Sequence, residues 1–419
     1  MPRRGSDALS GAGTAAPADT VALLGALCFF LSALELLVPR PLPFMRIGLA
    51  NMPLLLGVRL LRVGDFALLV LLKIVGQALV GGTFLSFVFL FSIAGTVASA
   101  AVMYAAGRIP RRLLGLAGIG CLGAMVSNGA QILVAAHPAL FGQAARLLMP
   151  PFLAAGFVAG IVLGLVCERF CRGSRWYAQA EGRAPSLEPP PPAASPPSAT
   201  APRALRPERG RRPFDRCPPR DLFFAGIALA AVFMLTRSLP GHILQVFPRH
   251  APQFLLFCLV VAFSGRRHSF IVTAIFMTGV VLLGLVAPHG RVLFSLGPLT
   301  VAEGSLRVAL DRAVTLAGLM MLSRAFVRSD LRLPGAFGAL LAHTFRTLEA
   351  MRGATAARAV PGRGLGFVLA RADAVMLEVS AATPGDAPPR EEPRRGVGGT
   401  LLLFAIAAAA VALAGIGGR

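Results

Sequence analysis

The chain has little charge, almost no lysine and no paired aspartates, and each shortage closes off a class of function. Only 14% of its 419 residues are charged while 55% are hydrophobic, and the mean hydropathy is +0.71. A soluble domain of this length could not solvate such a surface. Lys73 is the one lysine in the sequence and follows Leu72, so no Gly-Lys-Ser/Thr phosphate loop exists. No two aspartates are adjacent, which excludes the usual clustered-aspartate route of holding magnesium on a prenyl diphosphate. HExxH and a strand-turn-helix GxSxG are missing, as is a Cys/His pair with a supporting acid. The six cysteines, Cys28, Cys121, Cys167, Cys171, Cys217 and Cys258, form no CxxC and have no histidine spaced to complete a metal site. They read as reduced packing residues. The chain therefore reads as no enzyme, with no cofactor and no metal.

What remains is apolar length. Several runs approach the roughly 20 residues that a helix needs to cross the hydrocarbon core, and they lack the alternation of a barrel strand. The fold class expected is all-α, a polytopic helical membrane protein. Runs at 20–38, 47–61, 65–82, 84–107, 112–136 and 149–170 give six candidate helices after a short N-terminal tail, residues 1–19. Arg3 and Arg4 before the first run resemble a secretory leader, but the run ends in Glu35 and a proline-rich turn with no small-x-small cleavage site, so an uncleaved span is expected.

The net charge of +22 does not point to nucleic acid. Its arginines cluster between spans, at Arg108/Arg111/Arg112, Arg169/Arg172/Arg175, Arg203 to Arg220 and Arg266/Arg267, as the positive-inside bias requires. With the N-terminus in the cytoplasm, Arg59/Arg62 and the first two of those clusters fall on one side. The expected home is a bacterial inner membrane.

Residues 171–220 switch to Pro, Ala, Ser and Arg, including Pro189 to Pro192. This composition cannot bury enough apolar area to offset ordering, and predicts a disordered cytoplasmic linker. Apolar runs resume at 222–239, 253–264, 270–287 and 313–327, giving a second module over 221–327. A polar, basic segment (328–398) and a final apolar helix (399–419) follow.

Ionisable and amide residues inside apolar runs are candidate cavity residues, since a charge in lipid at mid-helix costs roughly 2.5–3.5 kcal/mol. In the first module these are Glu35, Asn51, Arg59, Lys73, Gln77, Asn128 and Gln131. Lys73 and Gln77 are one helical turn apart on one face. Either Lys73 pairs with an acid or snorkels, or it lines a substrate cavity with Gln77 and Glu35. Asn128 and Gln131 also share a face, and serve either a ligand or a tie between helices. The stretch from Pro39 to Pro53 falls on the outer side, so Arg40 and Arg46 run against the charge bias and need an anionic or lid contact. Gly48 lets backbone pass close there and Asn51 forms a wall beneath.

Small residues at Ala22-x-x-x-Ala26 and Gly156-x-x-x-Gly160-x-x-x-Gly164 suit close helix approach, within the chain or toward a partner. Further on, Thr300 with Glu303 three residues later fits a capping box, and Glu303, Arg307 and Asp311 form a charge ladder at helical spacing.

Ala22-x-x-x-Ala26, the outer proline-rich turn, Arg46-x-Gly48-Leu49-Ala50-Asn51 and Ser127-Asn128-Gly129-Ala130-Gln131 together resemble the membrane family labelled Gx transporter, also called heptaprenyl diphosphate synthase component I. That family is similar to the substrate-binding S components of energy-coupling factor transporters. The resemblance implies six helices, a lid formed by the loop after the first, and a small-residue face at Ala22 and Ala26 that meets a transducing subunit; the substrate-binding candidates Glu35, Arg46, Asn51, Lys73, Gln77, Asn128 and Gln131 come from the residues themselves. The family label implies association with a prenyl synthase rather than catalysis by this chain.

The second half is similar, less closely, to the transmembrane T component of such transporters, on Leu296-Gly297-Pro298-Leu299-Thr300-Val301-Ala302-Glu303-Gly304-Ser305-Leu306 and the following Arg312. Those components dock ATPases through cytoplasmic helices bearing Ala-Arg-Gly. The nearest matches are Met351-Arg352-Gly353 and Gly362-Arg363-Gly364, which makes Arg352 and Arg363 interface candidates, with Pro361 interrupting any single long helix. The partners implied are a small-molecule substrate, membrane lipid and ATPase subunits in trans. A non-catalytic accessory component of prenyl diphosphate or quinone synthesis is the alternative.

Overall fold

The computed structural model describes residues 17–35, 48–137, 140, 144–182, 219–238, 246–264, 270–286, 290–296, 299–326, 335–357 and 364–381, with 405, 406, 408, 409 and 412 near the C-terminus. Arg40, Arg46, Arg363, Cys217, the 183–218 portion of the linker and most of the final apolar run lie outside them.

Helices occupy the six apolar runs of the first half. They are α1 (Pro17–Glu35), α2 (Met52–Leu60), α3 (Val63–Gly81), α4 (Phe87–Gly107), α5 (Leu116–Ala135) and, after the short α6 (Ala144–Leu147), α7 (Met149–Gly173). Local chemistry sets their ends. Pro53 sits in the first turn of α2, where its missing N–H costs nothing. Gly82 ends α3 in the left-handed region at φ 59 and returns its N–H to the last turn. Four of these helices, α3, α4, α5 and α7, are long and apolar enough to cross a membrane, and the helical stretch Leu49–Leu60 is apolar but shorter. The chain is a multi-pass membrane protein.

The glycine row of α7 is used inside the module. A Cβ at Gly160 would lie 2.5 Å from the Gly120 carbonyl oxygen of α5, one at Gly164 would lie 2.4 Å from the Ala117 Cα, and one at Gly156 would lie 2.7 Å from Asn128. The two helices touch backbone to backbone, which only glycine permits.

After α8 (Arg175–Ala180), the second group comprises α9 (Pro219–Ser238), α10 (Val246–Ser264), α11 (Phe270–Leu285) and α12 (Glu303–Phe326). Helix α12 is buried continuously from Ala313 to Ser323, as befits a helix with neighbours on every side. Between α11 and α12 the chain makes an antiparallel hairpin of β1 (Val292–Leu296) and β2 (Leu299–Ala302). This corrects the expected capping box and amends a purely α-helical description. Thr300 pairs with Ser295 across the hairpin, and α12 begins at Glu303, whose N–H donates to the Arg291 carbonyl. The apolar Val-Leu-Phe and Leu-Thr-Val runs pair as strands, and that pairing removes Thr300 from the helix start. Arg307 forms the expected ion pair with Glu303, 2.5 Å apart, and the Asp311 carbonyl accepts from the Thr315 hydroxyl one turn on.

The segment read as polar and basic holds two helices, α13 (Gly335–Ala357) and α14 (Leu365–Ala381). Helix α13 crosses α1. Phe345 packs on Phe29 with ring centroids 5.2 Å apart, His343 Nε2 lies 3.3 Å from Asp19 Oδ1, and Thr344 covers Gly25 so closely that a Cβ there would be 3.0 Å away. Leu341, Leu348, Met351, Val375 and Met376 thereby join the apolar core of the first module. A second core joins α9 to α12 with Phe91, Ala135, Ala136, Leu140 and Ala145.

Candidate functional site

Three elements bring polar groups together where α1 ends and α2 begins. Gly48 takes the left-handed conformation, φ 87, and starts a 3-10 turn, Leu49–Asn51, that swings the chain back toward α1. Its N–H donates to Glu35 Oε1 at 3.0 Å. The Cys28 thiol points at the Ala50 carbonyl, 3.6 Å away, and the Ser32 hydroxyl donates to the Cys28 carbonyl at 2.7 Å. From α3, the Lys73 ammonium donates to Asn51 Oδ1. Glu35 is 1% exposed and Lys73 3% exposed.

A carboxylate and an ammonium held this far from water must be compensated by neighbours, because desolvation of each costs several kcal/mol. Part of that compensation comes from the turn at Gly48 and Asn51, whose backbone N–H meets Glu35 and whose amide oxygen meets Lys73. Gln77 stands one helical turn beyond Lys73, and its buried Oε1 accepts no hydrogen bond from the described residues. An N–H or O–H brought by a ligand would satisfy it. Glu35 and Lys73, grouped together in the sequence, are thus linked through one turn that also carries Asn51; Arg46 lies outside the described residues.

Asn128 and Gln131 have other duties. Asn128 donates to the Phe152 carbonyl of α7 at 2.8 Å, and Gln131 donates to Ser127 Oγ within α5 at 3.0 Å. The Gln131 amide also fills the notch left by Gly95 of α4, where a Cβ would sit 2.5 Å from its nitrogen. The first bond ties α5 to α7 and the second stays within α5; neither joins the Glu35–Lys73 group. Asn128→Ala is expected to lower the stability of the detergent-purified protein by about 0.6 kcal/mol, the mean for ties of this kind. A thermal unfolding series of the variant against the parent measures it.

Of the interface candidates, Ala22 and Ala26 are buried, and Gly25 between them lies under Thr344 of α13. Arg352 is exposed on α13, and Arg363 lies outside the described residues. Sequence reasoning missed Asp373. This buried carboxylate of α14 accepts from the Ser174 hydroxyl and from the N–H groups of Arg175 at 3.1 Å and Trp176 at 3.0 Å. It thus satisfies the first donors of α8, while Ser174 Oγ accepts from Tyr177 N–H at 3.0 Å. Beside this joint Arg111 pairs with Glu181, Arg59 donates to the Leu114 carbonyl at 2.8 Å, and burial pushes the Tyr177 phenol up. The only local hint was an acid inside Ala-Arg-Ala-Asp-Ala. Among the described residues no group of three His, Cys, Asp or Glu is placed to hold a metal.

Residues 24–170 match the heptaprenyl diphosphate synthase component I family. The match to heptaprenyl diphosphate synthase component I runs through α7 and takes in Glu35, Asn51, Lys73, Gln77, Asn128 and Gln131. Residues 224–329, most of α9 through α12, match a family described as a domain of unknown function, DUF8519. No curated protein and no solved structure matches the chain significantly.

Proposed function

We propose that the chain is the substrate-binding and transducing subunit of an uptake transporter of the energy-coupling-factor type in a bacterial inner membrane, working with ATPases on separate chains. The observation that carries this reading is a contact between ends that charge places on opposite sides of a membrane. The α3–α4 turn lies away from the arginine clusters of the first module and is an outer turn by the positive-inside bias. The end of α12, with Arg324 and then Arg328 and Arg332, is an inner end by the same bias. Yet the Leu85 N–H donates to Ser323 Oγ at 3.0 Å, and Gly82 sits against Arg324, whose Cα would be 3.3 Å from a Cβ there.

On this reading the first module is turned in the membrane, so that its outer end reaches the inner end of α12. A binding module that can turn this way carries its solute from one side to the other. Helices α13 and α14, fastened to α1 and α8, are the levers through which a motor acts on it. Ligand binding would bias such a two-state element only by preferring one orientation.

Lys73→Ala is expected to abolish ligand retention. Native mass spectrometry of the full chain after gentle solubilisation reads the bound species, and an unchanged ligand content in the variant would sink the site assignment. The description of the matched family motivates a second reading, an accessory component of prenyl diphosphate synthesis. A bound prenyl species would favour it, a water-soluble solute favours transport, and an empty module overturns both. ATPases recovered with the intact protein from membranes would supply the motor that the sequence lacks.

A further inference from the structure

We infer that the β1–β2 hairpin is an interfacial lipid anchor: its outer strand lies in the headgroup boundary of the outer leaflet and holds the outer ends of α11 and α12 at fixed depth. The inference stands on the second module alone and does not depend on what the first module binds.

Strand β2 packs inward, with Val301 and Ala302 buried. Strand β1 does the reverse. Val292 is 58% exposed, Leu293 50% and Phe294 52%, so three consecutive apolar residues face outward on both sides of the strand. Facing water, an open and apolar edge of this kind is an aggregation template.

Position selects lipid as the occupant. The hairpin follows α11, an apolar helix, whose residue Leu282 and the adjoining Val286 are also exposed, so apolar surface is presented both on that helix and on the strand. It lies at the end of α11 opposite Arg266 and Arg267, the outer end by charge. Arg291, exposed beside the strand, has the reach to meet a phosphate. The backbone limits the depth. Among the described residues only β2 pairs with β1, and backbone groups on the other edge of β1 are not allowed in the hydrocarbon core, whereas water and headgroups at the boundary can satisfy them. Burial of about 5–10 Å, as for other interfacial segments, places the side chains among upper acyl carbons and the edge among headgroups.

Phe294→Trp in the full chain, reconstituted in phosphatidylcholine nanodiscs, tests this. The native Trp176 is buried and provides a constant background that the unmodified chain measures. The introduced tryptophan is expected to lose emission with lipids brominated near the headgroup, to lose less with lipids brominated deep in the chain, and to resist aqueous iodide. Leu293→Trp, on the other face of the strand, should behave alike. Iodide quenching without bromolipid quenching at both positions would put the strand in water. Protection from both quenchers would mean that protein, such as a second copy pairing at the edge, covers it. Either outcome overturns the inference.

Discussion

Gly160→Val is expected to leave almost no monodisperse protein after detergent extraction. At this position a single Cβ would stand 2.5 Å from the Gly120 carbonyl oxygen, 2.6 Å from the Cys121 Cα and 2.8 Å from the Gly120 carbonyl carbon. All three are backbone atoms, so no rotamer change makes room, and the helices must separate. Separation would also strip Gly156 and Gly164 of their contacts and pull Asn128 from the Phe152 carbonyl. The cost should reach or pass the roughly 3 kcal/mol upper end of ordinary overpacking. Gly129→Ala is the matched control, since the nearest atom to its Cβ is Leu153 Cδ2 at 3.9 Å, and it should be extracted like the parent. Fluorescence-detected size exclusion of both, run side by side, decides the matter; a normal Gly160→Val profile would refute the close packing of α5 on α7.

The second large effect is expected at the other end of the module. Asp373→Ala should release α14 from α8 and cost about 3 kcal/mol, given roughly 1.5–3 kcal/mol for each hydrogen bond to a charged acceptor and the non-additivity of bonds that share one carboxylate. The loss is large because the Arg175 and Trp176 N–H groups and the Ser174 hydroxyl are left with nothing to replace the carboxylate. Asp373→Asn should lose less, since one oxygen remains to accept. With a protease site placed in the Pro189–Pro192 stretch of the full chain, the parent cut after purification should elute as one complex held by the α13 and α14 contacts. Under the same treatment Asp373→Ala should show faster hydrogen exchange in 174–177 and partial separation of the halves. Identical exchange in parent and variant would mean that the carboxylate contributes nothing to the joint.

Much of this architecture was legible in hydropathy alone, and the reason is solvent. A helix in lipid must be apolar along its whole length, so each candidate span of the first module showed as a continuous run, and any ionisable residue inside one stood out. Glu35, Asn51 and Lys73 were visible for that reason, and the structure then put them on three elements that touch. Helices α13 and α14 escaped because they are apolar on one face only, and residues such as Arg346, Glu349 and Arg352 dilute the signal to that of an ordinary polar segment. Thr300 misled because a capping pattern is satisfied by any suitable pair three residues apart, whereas strand pairing depends on a partner run that spacing does not reveal. The contact of Leu85 with Ser323 was beyond reach for a different reason. Charge bias reports how each group of helices is inserted, and it says nothing about which ends of the folded groups meet.

The joint between Ser174 and Asp373 also sets an order of events in biogenesis. The two residues are 199 positions apart, and α14 is synthesised after every membrane helix of the first module has left the ribosome. Until then the apolar face of α1 that receives Phe345 has no permanent cover and the first donors of α8 have no acceptor. The first module must therefore wait, incomplete, for α13 and α14 to arrive, a closure of high sequence separation and hence a slow one. Truncations before residue 373 should not yield a smaller working version of the protein. They would yield a nascent intermediate, the substrate on which membrane quality control acts.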